Sequence, residues 1–193
     1  NVRMSQEANN LTAALKGKSK VQGDWGEMIL ETILDNSELV KGVHYQTQEN
    51  IKDQETGANL RPDVILNLPE GKQIVIDSKV SLTAYVNYCE SEDPNVRQQA
   101  LREHLRSVRN HINELACKSY QSQLNGQTRN VSPDFVIMFI PNEPAFLLAM
   151  QEDSSLWGEA YKRKVVISSP TNLFALLKIV DDLWKRDGQS KSA

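Results

Sequence analysis

Residues 73–80 constrain the fold more than any other stretch, because the unbroken apolar trio Ile74, Val75 and Ile76 runs directly into Asp77, Ser78 and Lys79. A strand that is apolar on both faces belongs in the interior of a sheet covered on both sides. Two strand-like runs precede it. Residues 43–51 alternate loosely, and residues 63–68 alternate Val64, Leu66 and Leu68 with Ile65 and Asn67. Glu55-Thr56-Gly57 and Pro69-Glu70-Gly71 carry turn chemistry between the runs. The three strands read as an antiparallel meander.

Helical periodicity frames them. Over residues 22–35, Met28, Ile29, Leu30, Ile33 and Leu34 form a wide apolar arc, with Gly23 and Gly26 beside it and Glu27 and Glu31 four apart on the remaining face. Over residues 95–118, Leu101, Leu105, Val108, Ile112 and Leu115 step by four and three. The polar stretch 119–132 reads as a loop, 135–140 as an apolar strand and 144–161 as helical. Residues 165–167 form a short strand, and Ser168-Ser169-Pro170-Thr171 opens a last helix through Trp184. This order predicts an α/β fold, a mixed central sheet with flanking helices. The 193 residues suit one core domain over 21–187, with a helical lead-in over 1–20 that ends a longer upstream helical region and a polar tail over 188–193. Trp25, Trp157 and Trp184 each sit among apolar residues and are expected in the core.

Several function classes are excluded. Cys89 and Cys117 form no CxxC, and His44, His104 and His111 have no ligand spacing, so zinc and disulfide frameworks are absent. There is no phosphate-binding glycine loop, dinucleotide fingerprint or Ser-His-Asp pattern. No apolar run reaches membrane-spanning length and no signal peptide is visible, so a reducing, cytoplasmic setting is expected. The net charge is −3, so a polyanionic partner would have to be held by local cations and metal ions rather than by the overall field.

The chemistry gathers at two strings. Asp77 and Lys79 are two apart on a strand and so share a face. A tight hairpin brings Asp63, behind Pro62, beside Asp77. Two carboxylates so placed repel unless a cation lies between them, and Mg²⁺ or Mn²⁺ suits such a pair. Lys79 is placed to orient an attacking water or to neutralise charge on a phosphate, and a third acid is expected from the upstream helix, either Glu27 or Glu31. The plain alternative is a surface hairpin with a salt bridge and a solvated helix face. Arg61 is open between a phosphate contact and an ion pair. Arg102, Arg106 and Arg109 are open between a DNA phosphate track and a solvated or partner-binding face.

These positions resemble the PD-(D/E)xK nuclease superfamily, whose core is an α-β-β-β-α-β unit. Longer strings narrow the resemblance to the RmuC family: Gly23-Asp24-Trp25-Gly26-Glu27 with Glu31, Arg61-Pro62-Asp63-Val64, Ile76-Asp77-Ser78-Lys79-Val80, Phe139-Ile140-Pro141-Asn142-Glu143 and Ser169-Pro170-Thr171-Asn172-Leu173. The resemblance covers residues 21–184. It implies a bacterial DNA recombination protein that limits rearrangement at repeats and cleaves DNA with Mg²⁺ or Mn²⁺. Asp63, Asp77 and the Ser78 backbone carbonyl would hold metal, and Glu27 is favoured by its spacing from Gly23. It also implies a coiled coil and an inner-membrane anchor ahead of the domain, and leaves room for a homo-oligomer. The alternative in another class is a DNA-binding or scaffold module that keeps the fold without turnover.

Overall fold

The computed structural model describes residues 15, 19–47, 62–78, 81–117 and 135–192. Five strands form one sheet in the order β1 (Tyr45–Thr47), β2 (Val64–Asn67), β3 (Gln73–Asp77), β4 (Val136–Phe139) and β5 (Val165–Ser168). β1, β2 and β3 pair antiparallel, as the meander required, and β4 and β5 continue parallel to β3. Six helices are described: α1 (Ser19–Asn36), α2 (Thr83–Glu90), α3 (Pro94–Cys117), α4 (Glu143–Glu152), α5 (Ser155–Lys162) and α6 (Pro170–Ser192). The fold is α/β with a mixed sheet and flanking helices.

Alternation along the strands builds two cores. On one face Val75, Met138 and Ile167 pack against Val108, Ile112 and Leu115 of α3 and against Phe146, Leu156 and Ala160 of α4 and α5. On the other, Val64, Leu66, Ile74, Ile76, Ile137 and Phe139 pack against Leu30 and Leu34 of α1 and Leu173, Leu177 and Val180 of α6. β3 and β4 are therefore covered on both sides, which is what their continuous apolar sequences demand.

The register of β2 on β3 is set at the connecting turn. The Leu68 N–H donates to the Lys72 carbonyl (2.7 Å), and Glu70 (φ 68°) and Gly71 (φ 73°) both take left-handed backbone conformations. Gly71 does this without steric cost, whereas Glu70 is strained.

Some expectations need correction. α2 was not foreseen; its single fully enclosed residue is Val86, so its apolar pattern is too weak to read. The helical stretch before β5 is two helices, broken at Asp153, whose carboxylate accepts the N–H and hydroxyl of Ser155. α6 runs to Ser192, so the polar tail continues that helix. Trp25 and Trp184 pack on the cores, Trp184 also donating to the Asn67 carbonyl (3.0 Å), but Trp157 is 52% exposed. α5 buries Leu156 and Ala160, and Trp157 is turned about 100° from Leu156 around the helix. The turn at 55–57, the end of the first strand at 48–51 and the loop at 119–132 lie outside the described residues.

α1 is locked to the sheet by its buried line Gln22, Gly26, Leu30 and Leu34, at four-residue spacing. A Cβ on Gly26 would lie 3.3 Å from Pro141 Cγ and 3.7 Å from the Ser78 carbonyl oxygen, so only glycine permits this approach without a shift. One turn earlier the Gln22 carboxamide accepts the Leu82 N–H (3.1 Å) and donates to Thr83 Oγ1 (3.0 Å) and the Leu15 carbonyl (2.8 Å). Gly23 has nothing within 4 Å of its Cβ position. Gly23→Ala is therefore expected to stabilise the protein by about 0.5–1 kcal/mol through helix propensity. Gly26→Leu is expected to destabilise it by about 1–3 kcal/mol through overpacking. Urea unfolding of both variants checks this; equal effects would mean that the Gly26 contact is not tight.

Candidate functional site

The parallel strands β3, β4 and β5 all end on one side of the sheet, and at β3 antiparallel pairing gives way to parallel. Ligands of open α/β sheets bind outside the carboxyl ends of the parallel strands. Val64 pairs with Ile76, so one step further along the ladder Asp63 faces Asp77. Val64 and Leu66 belong to the α1–α6 core, so Asp63 projects to the opposite face, as does Asp77 in phase with Val75. The two carboxylates thus adjoin at the end of the β2–β3 ladder. Both are buried, Asp77 completely.

Each carboxylate is oriented by the protein. Asp63 Oδ2 accepts the Ser78 N–H (2.7 Å) and the Ser78 hydroxyl (3.1 Å). Asp77 Oδ1 lies 3.1 Å from His111 Nε2 on α3, and His111 Nδ1 lies 3.4 Å from Glu114 Oε2. His111 is itself buried and went unassigned among the three histidines of the sequence. A signal was present, because His104, Val108, His111 and Leu115 step by four, three and four along the apolar stripe of α3. A histidine at a stripe position is enclosed and must find a polar partner. His104 finds the Ala145 carbonyl (2.9 Å), and burial pushes its imidazole pKa down.

α1 approaches the same strand end through Gly26, which lies by the Ser78 carbonyl. Glu27 follows it on the exposed side of the helix. Glu31 is one turn further on and lies by β1: burial, then the charges of Asp35 and Glu31, push the Tyr45 phenol up. The later strings converge on the same end of the sheet. Asn142 caps α4 by accepting the Ala145 N–H (2.9 Å), and Glu143 accepts the Thr171 N–H at the start of α6 (2.5 Å). Burial pushes the Glu143 carboxyl up, but hydrogen bonds from Thr171 and Ser169 outweigh it and hold it below its ordinary range.

The cationic residues divide. Arg61 and Lys79 lie outside the described residues. Arg102 is exposed and donates to Gln99 Oε1 within its own helix (3.2 Å). Arg106 is exposed on a groove of about 340 Å³ that also has Ser81, Ser107, Asn110, His111 and Glu114 along it. Arg109 is engaged by two acids, Glu159 and Asp153, each at 2.7 Å, which clasp α3 to the α4–α5 break and hold its guanidinium charged. Among the described residues, no three His, Cys, Asp or Glu side chains gather closely enough to hold a metal ion by themselves. Mg²⁺ does not require such a cage, since it takes one or two carboxylates and keeps several waters. The facing pair Asp63 and Asp77 therefore fits a hexacoordinate divalent cation as a partial ligand set.

A mixed sheet with two buried, oriented acids at its strand ends defines an α/β domain with an acidic site at one end of the sheet. The RmuC family model matches residues 1–193. The whole chain aligns at 47% identity with the DNA recombination protein RmuC of Escherichia coli K12 and at 46% with the RmuC homolog of Pseudomonas aeruginosa. It is also 47% identical to the RmuC homolog of Vibrio cholerae. The chain belongs to the RmuC family. It spans about two fifths of the length of these curated relatives: 40%, 41% and 37% of each. No solved structure matches it.

Removing the Asp63 carboxylate leaves the buried Ser78 N–H without its acceptor. Asp63→Ala is expected to cost about 1–3 kcal/mol. Asp63→Asn retains an acceptor and removes one of two facing like charges, so it should cost far less in metal-free buffer. Denaturant unfolding of the two variants decides; an equal loss would show that the Ser78 contact does not depend on an acceptor at position 63.

Proposed function

We propose that this domain is a PD-(D/E)xK-type deoxyribonuclease that hydrolyses phosphodiester bonds with Mg²⁺ or Mn²⁺ and acts in DNA recombination. The observation that carries the reading is that two buried acids, Asp63 and Asp77, adjoin at the end of the β2–β3 ladder. The order helix, antiparallel β1–β2–β3, helices, parallel β4 supports it, being the order of that superfamily's core. The names of the relatives support the role in recombination.

Asp63 and Asp77 would hold the cation from the sheet, with Glu27 and the Ser78 carbonyl on the α1 side. When bound, the cation would lower the pKa of a water so that hydroxide is available as the nucleophile near neutral pH, and would supply a counter-charge for the phosphate. Lys79, two residues beyond Asp77, orients the attacking water. Arg61, next to Pro62-Asp63, and Arg102 and Arg106 on α3 contact DNA phosphates. Arg109 stays in its clasp, because leaving it would strip two carboxylates of their partner.

A second reading is a DNA-binding module without turnover. It is favoured by the absence, among the described residues, of a closed three-ligand cluster. One experiment separates the two. Wild type and Asp77→Asn are incubated with DNA in Mg²⁺, Mn²⁺ or EDTA, and affinity is measured over a salt series in Ca²⁺. The nuclease reading expects metal-dependent cleavage that Asp77→Asn and Lys79→Ala abolish. Replacing Arg102 and Arg106 together by Ala should flatten the slope of log affinity against log salt by up to about 2 units, and Arg109→Ala should leave it unchanged. Binding with a normal slope but no cleavage in either metal selects the module without turnover.

A further inference from the structure

The contact between α3 and the end of β3 assigns a role to a residue that the metal and DNA chemistry above does not use. We propose that His111 is a positioning residue for Asp77, holding one carboxylate oxygen so that the group presents a single orientation to a divalent cation. The proposal rests on the reading of Asp63 and Asp77 as metal ligands.

Four observations carry it. His111 Nε2 meets Asp77 Oδ1 at 3.1 Å, and both side chains are buried, so water does not compete for the contact. The histidine comes from α3, which Val108, Ile112 and Leu115 fix against the sheet, so the imidazole has a rigid platform. Its second nitrogen lies 3.4 Å from Glu114 Oε2, on the exposed rim of the same helix. Asp63 has an equivalent restraint from Ser78, so both acids of the pair are oriented by hydrogen-bonding neighbours. Metal-binding carboxylates are themselves hydrogen-bonded, and loss of such an outer partner typically weakens metal affinity by about 10–100-fold.

The test uses three substitutions that separate reach from polarity. Gln carries its amide nitrogen where histidine carries Nε2, Asn is too short to reach Asp77, and Leu fills the space without a donor. Mn²⁺ affinity of the 193-residue chain is measured by electron paramagnetic resonance, with thermal melting alongside and Asp77→Asn as the control. His111→Leu and His111→Asn are expected to weaken Mn²⁺ binding by about 10–100-fold, and His111→Gln to restore most of it. Glu114→Ala, on the surface, is expected to show a smaller loss; it and His111→Gln carry the test if His111→Leu does not fold. A structural role alone predicts lower melting temperatures with Mn²⁺ affinity unchanged, or Asn and Gln behaving alike, and either result overturns the proposal. If Asp77→Asn abolishes binding while every His111 variant keeps it, only the positioning role fails. If wild type binds no Mn²⁺, or Asp77→Asn binds it equally well, the metal site itself fails and the proposal falls with it.

Discussion

Side chains of a strand alternate between faces, so a slip of one residue between β2 and β3 would send Asp63 to the α1–α6 side of the sheet while Asp77 stayed on the α3 side. The acidic pair exists only in the register that sets Val64 against Ile76. That register is held by the tight turn through Glu70 and Gly71 at one end and by the Ser78 hydrogen bonds to Asp63 at the other. It is also held by apolar content: Val64, Leu66, Ile74 and Ile76 all enter one core, and a slip would expose them to the wrong neighbours. The strain at Glu70 is sustained because both strands that the turn joins are buried.

The helices then close around the ends of the strands. α1 approaches through Gly26, and its Gln22 satisfies backbone and side-chain groups on the segment that follows β3. α3 brings His111 from the other face. α4 and α6 meet through Glu143 and Thr171 above β4 and β5. Separate stretches of sequence thus converge on one end of the sheet, and each arrives with a specific polar contact as well as apolar packing.

Much of this was legible in the residues. The unbroken Ile74-Val75-Ile76 dictates a doubly covered strand, the alternation at Val64–Leu68 a partner strand, and the stripe of α3 its packed face; each is present. The facing of Asp63 and Asp77 follows from period-two geometry and a short turn, both local properties. What escaped was non-local or weakly patterned. α2 buries too little to leave a periodic trace. Trp157 is exposed because a helix of eight residues turns its neighbour inward, which identity alone cannot reveal. The engagement of Arg109 by Asp153 and Glu159 joins residues 44 and 50 positions apart, and spacing along α3 carries no information about acids at the α4–α5 break and on α5. His111 could have been flagged from its stripe position, but its partner lies 34 residues away on another element.

The division of the sheet into an antiparallel half and a parallel half has a kinetic consequence. β2 and β3 are joined by a handful of residues, so closing their hairpin is fast and entropically cheap. β4 and β5 must be drawn alongside from far down the chain, and such pairings form late. The two acids are therefore brought together early, before His111 and Pro141 can be in place beside them. In that interval their mutual repulsion is opposed only by the turn, the Ser78 hydrogen bonds and the apolar side chains of the hairpin itself. The rate at which α3 and β4 dock is then the rate at which the repelling pair becomes enclosed, so ionic strength should act on the folding of this domain chiefly through the steps before that docking.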